Sequence, residues 1–455
     1  MRTNESGKRL LILALSFLGI LMITGMYAYT WIFVYHRRVI WNIKLYFWGH
    51  LLMVFIYFIL LFFFVSTYGG MRIGYLKPMD VFFSQVFSLL CVNIVTYLQF
   101  SIIEVKLVRA NGLIWMTAAQ IVFAGFWTWL CNLVYRKVFP PRDLLLIHGE
   151  RPIESILQKF ASRPDKYRIS QCLHVNGGQK EMEKAILESG KAVVLWDIPT
   201  ADRNELLKFC YSHSIRVYMM PKITDVLIKG SDQLHLFDTP ILLSREYSLR
   251  MEQRIAKRAI DLFCSLVLII LSSPVWLVTA IAIKLYDGGP VLYRQIRCTI
   301  GGREFEIMKF RSMRVDAEKD GVARLATKND SRITPIGKFI RAVRIDELPQ
   351  LFNILKGDMS FIGPRPERPE IIAQYMEDMP EFALRMKVKA GLAGYAQVYG
   401  KYNTTPYDKL KLDLSYIENY TLWLDIKLML LTLKILFKPE STEGIEENQT
   451  TAKKE

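Results

Sequence analysis

Four uncharged, apolar runs fill the start of the chain, at residues 10–35, 45–71, 81–103 and 110–135. Each exceeds the roughly 20 residues a helix needs to cross about 30 Å of hydrocarbon. A backbone in that medium must satisfy its own hydrogen bonds, so the expectation is four transmembrane helices. Trp31, Trp41, Trp48 and Trp127 suit the interfacial belts where an aromatic ring meets water. The first run is too long for a signal-peptide core and runs into Tyr35-His36-Arg37-Arg38 instead of a small-residue cleavage site, so it reads as a retained anchor. With the N-terminus inside, Arg2, Lys8, Arg9, Arg72, Lys77, Arg136, Lys137 and Arg142 flank the inner side, against Arg37, Arg38, Lys44, Lys106 and Arg109 outside. That bias places the soluble parts in the cytoplasm.

A chain of 455 residues is too long for one core, and 51% hydrophobic residues exclude a disordered or collagen-like polymer. The net charge of +16 admits three partners: nucleic acid, an anionic bilayer surface or a phosphorylated substrate. Residues 1–142 hold 13 Lys and Arg against Glu5, Asp80 and Glu104, so +10 of the charge brackets membrane spans. The six cysteines form no CxxC pair and read as reduced and structural. All six histidines lie within the first 235 residues, so chemistry further on is left to carboxylates, amines, hydroxyls or a metal.

From Pro140 short apolar runs at 144–147, 168–175, 192–196 and 215–220 alternate with helical patterns at 153–161, 181–188 and 204–213. This rhythm predicts a parallel, Rossmann-like sheet. Its first strand-to-helix turn, His148-Gly149-Glu150-Arg151-Pro152, lacks the GxGxxG that lets backbone approach a pyrophosphate, which favours a structural or regulatory module. A fifth apolar run, 262–283, carries Ser272-Ser273-Pro274 at its middle, where proline removes a helical hydrogen bond. A kinked span and a re-entrant helix that returns to its starting side both fit, and the basic residues downstream tilt the reading to the second. Residues 423–438 are apolar but interrupted by Asp425, Lys427, Lys434 and Lys438, which predicts a helix lying in the interface.

Asp346-Glu347 precede Pro349 and an apolar helical pattern that stops at Gly357, with Arg341 and Arg344 just upstream. A carboxylate beside cations at a helix start can attack phosphorus or hold a metal that bridges phosphate oxygens. It can equally be a cap that favours the helix dipole. In Gly363-Pro364-Arg365-Pro366 two prolines stiffen the backbone around one guanidinium, as phosphate recognition prefers, although a solvated proline-rich linker has the same sequence. Lys309-Phe310-Arg311 places two cations on one face of a strand with Phe310 inward.

Taken together, Lys257-Arg258-Ala259-Ile260-Asp261, Ser273-Pro274, Gly289-Pro290-Val291, Arg294-Gln295, Lys309-Phe310-Arg311-Ser312-Met313, Asp346-Glu347-Leu348-Pro349-Gln350, Lys356-Gly357-Asp358-Met359-Ser360 and Gly363-Pro364-Arg365-Pro366 resemble the bacterial sugar transferase family. These are the monotopic polyprenyl-phosphate phosphoglycosyl transferases, and the likeness covers about residues 254–438. The preceding helices and module resemble the enlarged branch used in exopolysaccharide, capsule or O-antigen initiation.

The resemblance implies transfer of a sugar-1-phosphate from a UDP-sugar, glucose or galactose as first candidates, to undecaprenyl phosphate. UMP is released, with magnesium, through a covalent aspartyl-phosphosugar intermediate. On the matching positions Asp346 is the nucleophile, Glu347 its partner and magnesium ligand, Arg341 a phosphate contact, Lys309 and Arg311 substrate contacts, and Pro364, Arg365 and Pro366 part of the nucleotide pocket. Ser273 and Pro274 break the re-entrant helix. Thr299, Ala390 and Ala393 depart from the family's pattern, outside the Asp-Glu pair.

The fold class expected is a membrane protein with an α-helical bundle (1–142), a Rossmann-like α/β module (143–250), a mostly α-helical monotopic catalytic domain (251–439) with its re-entrant helix at 262–284, and a disordered tail (440–455). The implied location is the bacterial inner membrane, multi-pass, with the catalytic domain cytoplasmic and membrane lipids as partners; a homo-oligomer is compatible with it. Two rivals differ in class. Asp320-Gly321-Val322-Ala323-Arg324 is one residue short of the CDP-alcohol phosphotransferase signature. A non-catalytic adaptor would bind anionic lipid or assembly partners through the basic loops. Nucleic acid is disfavoured, because the arginines accompany prolines and carboxylates without a recognition helix or stacking platform.

Overall fold

The computed structural model describes residues 2–37, 40, 46–190, 192–244, 249–315, 330–400 and 404–436. The 440–455 tail and the 320–324 segment lie outside the described residues. Contacts divide the chain into two compact units, Met1–Met220 and Pro221–Lys454.

The first unit begins with four long helices, α1 (Arg2–Thr30, prolonged by a π-helical turn Trp31–His36), α2 (Phe47–Tyr68), α3 (Pro78–Glu104) and α4 (Asn111–Val138). All four are long and apolar enough to cross a membrane. Their polar side chains turn inward and find each other. Tyr57 Oη donates to Asn93 Oδ1 at 2.9 Å, and Asn93 Nδ2 donates to Thr117 Oγ1 and Gln120 Oε1 at 2.8 and 2.9 Å. Such bonds join helices where lipid offers no competing partner. Trp31, expected at the interface, is instead fully buried and donates to His50 Nδ1 at 3.1 Å, because its indole N–H is satisfied inside the bundle.

Next come β1 (Arg142–His148), α5 (Glu154–Ala161), β2 (Tyr167–His174), α6 (Gln179–Ser189), β3 (Ala192–Trp196), α7 (Thr200–Ser212) and β4 (Val217–Met219). The strands form one parallel sheet in the order β2-β1-β3-β4. Along β1, Leu145 and Ile147 enter one apolar core and Leu144 and Leu146 the other, the period-two pattern of a strand covered on both faces. A Cβ at Gly149 would collide with the carbonyl of Asp197, so the close approach a glycine allows here is taken up by the chain's own backbone. Arg163 Nη1 donates to the Tyr75 carbonyl at 2.9 Å, which ties this sheet to the connection between α2 and α3.

The second unit contains α8 (Ile223–Lys229), the antiparallel hairpin β5 (Asp232–Leu236) and β6 (Thr239–Leu243), α9 (Met251–Asp287), a second hairpin β7 (Leu292–Cys298) and β8 (Glu304–Phe310), α10 (Pro335–Ala342) and α11 (Gln350–Lys356). It continues with β9 (Met359–Ile362), α12 (Pro369–Asp378), β10 (Ala390–Ala393), α13 (Tyr395–Tyr399), α14 (Pro406–Glu418) and α15 (Leu422–Ile435). Residues 221–244 and 249–250, placed by the sequence in the preceding module, fall in this unit. Val226 of α8 and Leu249 are buried in one core with Phe305, Ile307, Leu410 and Leu414, so their apolar surface is covered by this unit.

Helix α9 spans 37 residues and contains Pro274. Pro274 cannot donate to the Ile270 carbonyl four residues back, and Ser273 Oγ supplies that bond at 2.8 Å. The serine therefore satisfies the acceptor that the proline strands, while Arg258 before the pair and Trp276 after it both reach α11, so the helix bends between them. One face of α9 buries Lys257, Asp261, Ser265, Thr279 and Ile283. The other exposes Phe263, Leu266, Ile270, Leu271, Leu277, Val278 and Leu285.

Asp425 of α15, read from sequence as a charge kept at the membrane interface, is instead buried. It pairs with Lys257 Nζ at 2.6 Å and accepts from Tyr416 Oη at 2.7 Å. In the parallel pair β9-β10 the backbones pack closely, where a Cβ at Gly391 would strike the backbone nitrogen of Gly363 and one at Gly363 the carbonyl of Lys389. Gly391→Ala should therefore cost on the order of 2 kcal/mol, as overpacking does when neither neighbour is a flexible side chain. Thermal unfolding in detergent checks this, and a midpoint equal to the unsubstituted chain's contradicts the packing.

Candidate active site

Three cations converge on Glu347. It ends a single 3₁₀ turn, Ile345–Glu347, between α10 and α11. Pro349 stands immediately before α11 with helical dihedrals, and Gly357 ends that helix at φ 94°, as the sequence pattern requires. The turn starts from Arg344 in the left-handed region, φ 57°, a conformation that costs a β-carbon residue energy and persists only where the surroundings fix it. Here the fixation is ionic. Arg344 Nη1 lies 3.5 Å from Glu347 Oε2, Lys309 Nζ from β8 3.4 Å from Oε1, and Arg365 Nη2 3.2 Å from Oε1.

Burial pushes the Glu347 carboxyl up, but Arg365, Lys309 and Arg344 outweigh it and hold the group well below the ordinary carboxylate range. Asp346 behaves oppositely. Burial and then the neighbouring Glu347 charge push its carboxyl up to about 6, against the opposing pull of Lys309, Arg341 and Arg344. Lys309 is itself pushed down by burial, opposed by Glu347. Two adjacent carboxyls driven in opposite directions, one permanently ionised and one poised, mark a site built for charge chemistry.

The loop after β9 is held at the site through a series of its carbonyls. Ile362 O accepts from Lys257 Nζ at 2.8 Å and Tyr416 Oη at 3.2 Å. Pro364 O accepts from Gly391 N at 2.9 Å, Arg365 O from Arg385 Nη2 at 3.0 Å, Pro366 O from Arg297 Nη1 at 3.2 Å, and Glu367 O from Cys298 N at 3.0 Å. Pro364 and Pro366 fix the dihedrals between these anchors, so Arg365 is held at both the chain and the guanidinium.

The other walls are held as directly. Asp261 Oδ1 accepts from Ser360 Oγ at 3.0 Å and Phe361 N at 2.9 Å, and Arg258 donates to the Ile354 and Leu355 carbonyls at the open end of α11, at 2.6 and 2.7 Å. Asn353 joins α11 to β8, accepting from Met308 N at 3.0 Å and donating to Glu306 O at 2.7 Å. Thr299 donates to Asp358 O at 2.8 Å and accepts from Ala390 N at 3.1 Å, thereby bridging the hairpin and the β9-β10 pair.

Of the residues singled out from sequence, Asp346, Glu347, Lys309, Arg341 and Arg365 gather here. Arg311 does not. Its guanidinium is paired with Asp287 at the end of α9, one contact at 2.7 Å, because the strand ends at Phe310 and the chain then turns toward that helix. Ser273 and Pro274 lie within α9, where they serve the helix as described. The sequence reading passed over Arg297, Arg385 and Asp413, which are far from the loop in sequence and carry no local motif; only the fold brings them to it.

The donor set suits magnesium. That ion is usually held by one or two carboxylates together with substrate phosphate oxygens, and Asp346 and Glu347 offer two adjacent carboxylates. Among the described residues no third acidic, histidine or cysteine ligand joins them.

The model of the bacterial sugar transferase family matches residues 252–439. A protein of Caulobacter vibrioides named UDP-glucose:undecaprenyl-phosphate glucose-1-phosphate transferase is 38% identical over 197 residues, 42% of this chain and 73% of that one. One of Aeromonas hydrophila, UDP-N-acetylgalactosamine-undecaprenyl-phosphate N-acetylgalactosaminephosphotransferase, is 44% identical over 183 residues, 40% of this chain and 43% of its own. The undecaprenyl-phosphate galactose phosphotransferase of Salmonella typhimurium is 31% identical over 278 residues, covering 54% and 57%. Most of these matches span only about half the length of the curated relatives.

Glu347→Gln should lower the pKa of Asp346, since it deletes the neighbouring negative charge and leaves the three cations. Isotope-edited infrared titration of the aspartate carboxyl band measures this, and an unchanged or higher midpoint would falsify the coupling.

Proposed function

This chain belongs to the bacterial sugar transferase family, and we propose that it transfers a sugar-1-phosphate from a UDP-sugar to undecaprenyl phosphate and releases UMP. The supporting observation is the pairing of a poised carboxyl, Asp346, with an ionised one, Glu347, inside a cage of Lys309, Arg344 and Arg365. The cage suits a diphosphate, whose charge it would meet with guanidinium and ammonium groups already fixed in place.

In this reading an Asp346 carboxylate oxygen attacks the β-phosphorus. The bond between that phosphorus and the oxygen leading to the α-phosphate breaks, and UMP departs with the electron pair. A phosphate oxygen of undecaprenyl phosphate then attacks the aspartyl phosphate, restoring the carboxylate and forming the lipid diphosphate sugar. Arg365 and Arg341 bind phosphate oxygens in both steps, while Glu347 keeps Arg365, Arg344 and Lys309 in register. Magnesium, held by Asp346 and Glu347, would supply further neutralisation of the diphosphate when bound. Relatives whose names specify glucose, galactose and N-acetylgalactosamine share the matched region, so glucose and galactose stand as first candidates for the donor.

Asp346→Asn should reduce UMP release by at least about a thousandfold in membranes supplied with UDP-sugars, undecaprenyl phosphate and magnesium, and should leave no radiolabelled phosphosugar on the protein. Turnover near that of the unsubstituted chain would sink the nucleophile assignment. Failure of the unsubstituted chain to release UMP would favour the adaptor reading.

The product of such an enzyme would start exopolysaccharide, capsule or O-antigen assembly at the inner membrane, with its soluble parts in the cytoplasm. Re-entry of α9 is supported by one core: Val226 and Leu249 before the helix pack with Cys298, Phe305 and Ile307 after it. A bilayer cannot pass between residues that share a hydrophobic core, so both ends of α9 lie on one side. Met251→Cys and Tyr286→Cys should therefore be labelled by an impermeant maleimide from the same face of oriented vesicles; labelling from opposite faces would establish a span.

A further inference from the structure

Asp413 and Arg385 form an ion pair that the reaction scheme does not use. Both side chains are nearly inaccessible, with Arg385 Nε 3.0 Å and Nη2 2.8 Å from Asp413 Oδ2. Two guanidinium nitrogens converge on this one carboxylate oxygen, and a third contact continues outward, Nη2 donating to the Arg365 carbonyl at 3.0 Å. Arg385 Nη1 lies 3.8 Å from Glu367 Oε1, and Arg297, on the opposite flank, 3.8 Å from Oε2 of the same carboxylate. The loop bearing Arg365 is thus clasped between two guanidiniums.

Stability does not account for the pair. Burying two charges costs desolvation that their attraction about cancels, and apolar side chains of the same volume fill such a space as well. What an apolar pair cannot provide is a directed N–H on the Arg365 carbonyl. That bond fixes the main chain from which the guanidinium reaches Glu347 Oε1 at 3.2 Å. Asp413, on α14, in turn leaves Arg385 little choice of rotamer.

We propose that Arg385 and Asp413 are positioning residues for Arg365, holding its guanidinium where a nucleoside diphosphate's phosphates dock. The inference rests on the transferase reading above. Neither residue touches the reacting atoms; both act through the Arg365 backbone.

Lysine at 385 keeps the charge but lacks the fork, so it cannot hold Asp413 and the Arg365 carbonyl together. The test is a double-mutant cycle on the full detergent-solubilised chain, with UDP affinity read by calorimetry and donor KM and kcat by UMP release. Arg385→Lys should weaken UDP binding and raise donor KM about tenfold, with kcat changed less, while in an Arg365→Ala background it should change UDP affinity less than about twofold. Asp413→Asn should behave like Arg385→Lys, and each variant's thermal midpoint reports folding separately. Equal fold-changes in both backgrounds, or unchanged affinity in Arg385→Lys, overturn the positioning role. An unsubstituted chain that binds no UDP and releases no UMP overturns the transferase reading and this inference with it, whereas a functional chain with an additive cycle overturns this inference alone.

Discussion

A carboxylate withdrawn from water must be paid for in ion pairs, and Glu347 sets the terms for everything around it. Three cations from three separate elements answer it: Lys309 from the hairpin, Arg344 from the turn and Arg365 from the proline-bounded loop. Because the cations come from different stretches of chain, the hairpin, the turn and the loop are held to one another through this carboxylate. Asp346 inherits its properties from that arrangement. Buried beside an ionised neighbour, its proton is held more tightly than in water, and an approaching positive charge favours its ionised form.

Helix α9 is the second fixed element. Its exposed apolar face is suited to lipid, while its buried face sends Lys257 to the Ile362 carbonyl and Asp425, Arg258 to the end of α11, and Asp261 to β9. The segments that carry the catalytic turn and the Arg365 loop are thereby fastened to the helix that meets the membrane. In the proposed reaction a water-soluble donor and a lipid-borne acceptor reach Asp346 in succession, and a site built on this helix suits both approaches.

Much of the site was legible in particular residues. Asp346-Glu347 before Pro349, the stop at Gly357 and the stiff Pro364-Arg365-Pro366 each follow from local backbone rules, and the parallel sheet follows from its alternating apolar runs. Other readings failed where local rules yield to packing. At Pro274 the local rule saw only a lost donor, and the Ser273 hydroxyl replaces it. Asp425 looked like a charge too costly for anything but the interface, until Lys257 and Tyr416 met it in the interior. Arg311 shares a strand face with Lys309 by count, yet the strand ends between them and Asp287 captures it.

The sequence by itself determined the membrane spans, the α/β rhythm and the chemical kind of the site, because hydropathy, side-chain period and backbone stiffness act over a few residues. Only the tertiary structure decided which cations reach Glu347, which donors hold the Arg365 loop, and that both ends of α9 share one core. Those outcomes join residues up to 168 positions apart, as Lys257 and Asp425 are. Electrostatic and packing energies depend on distance in space, and one sequence records only distance along the chain.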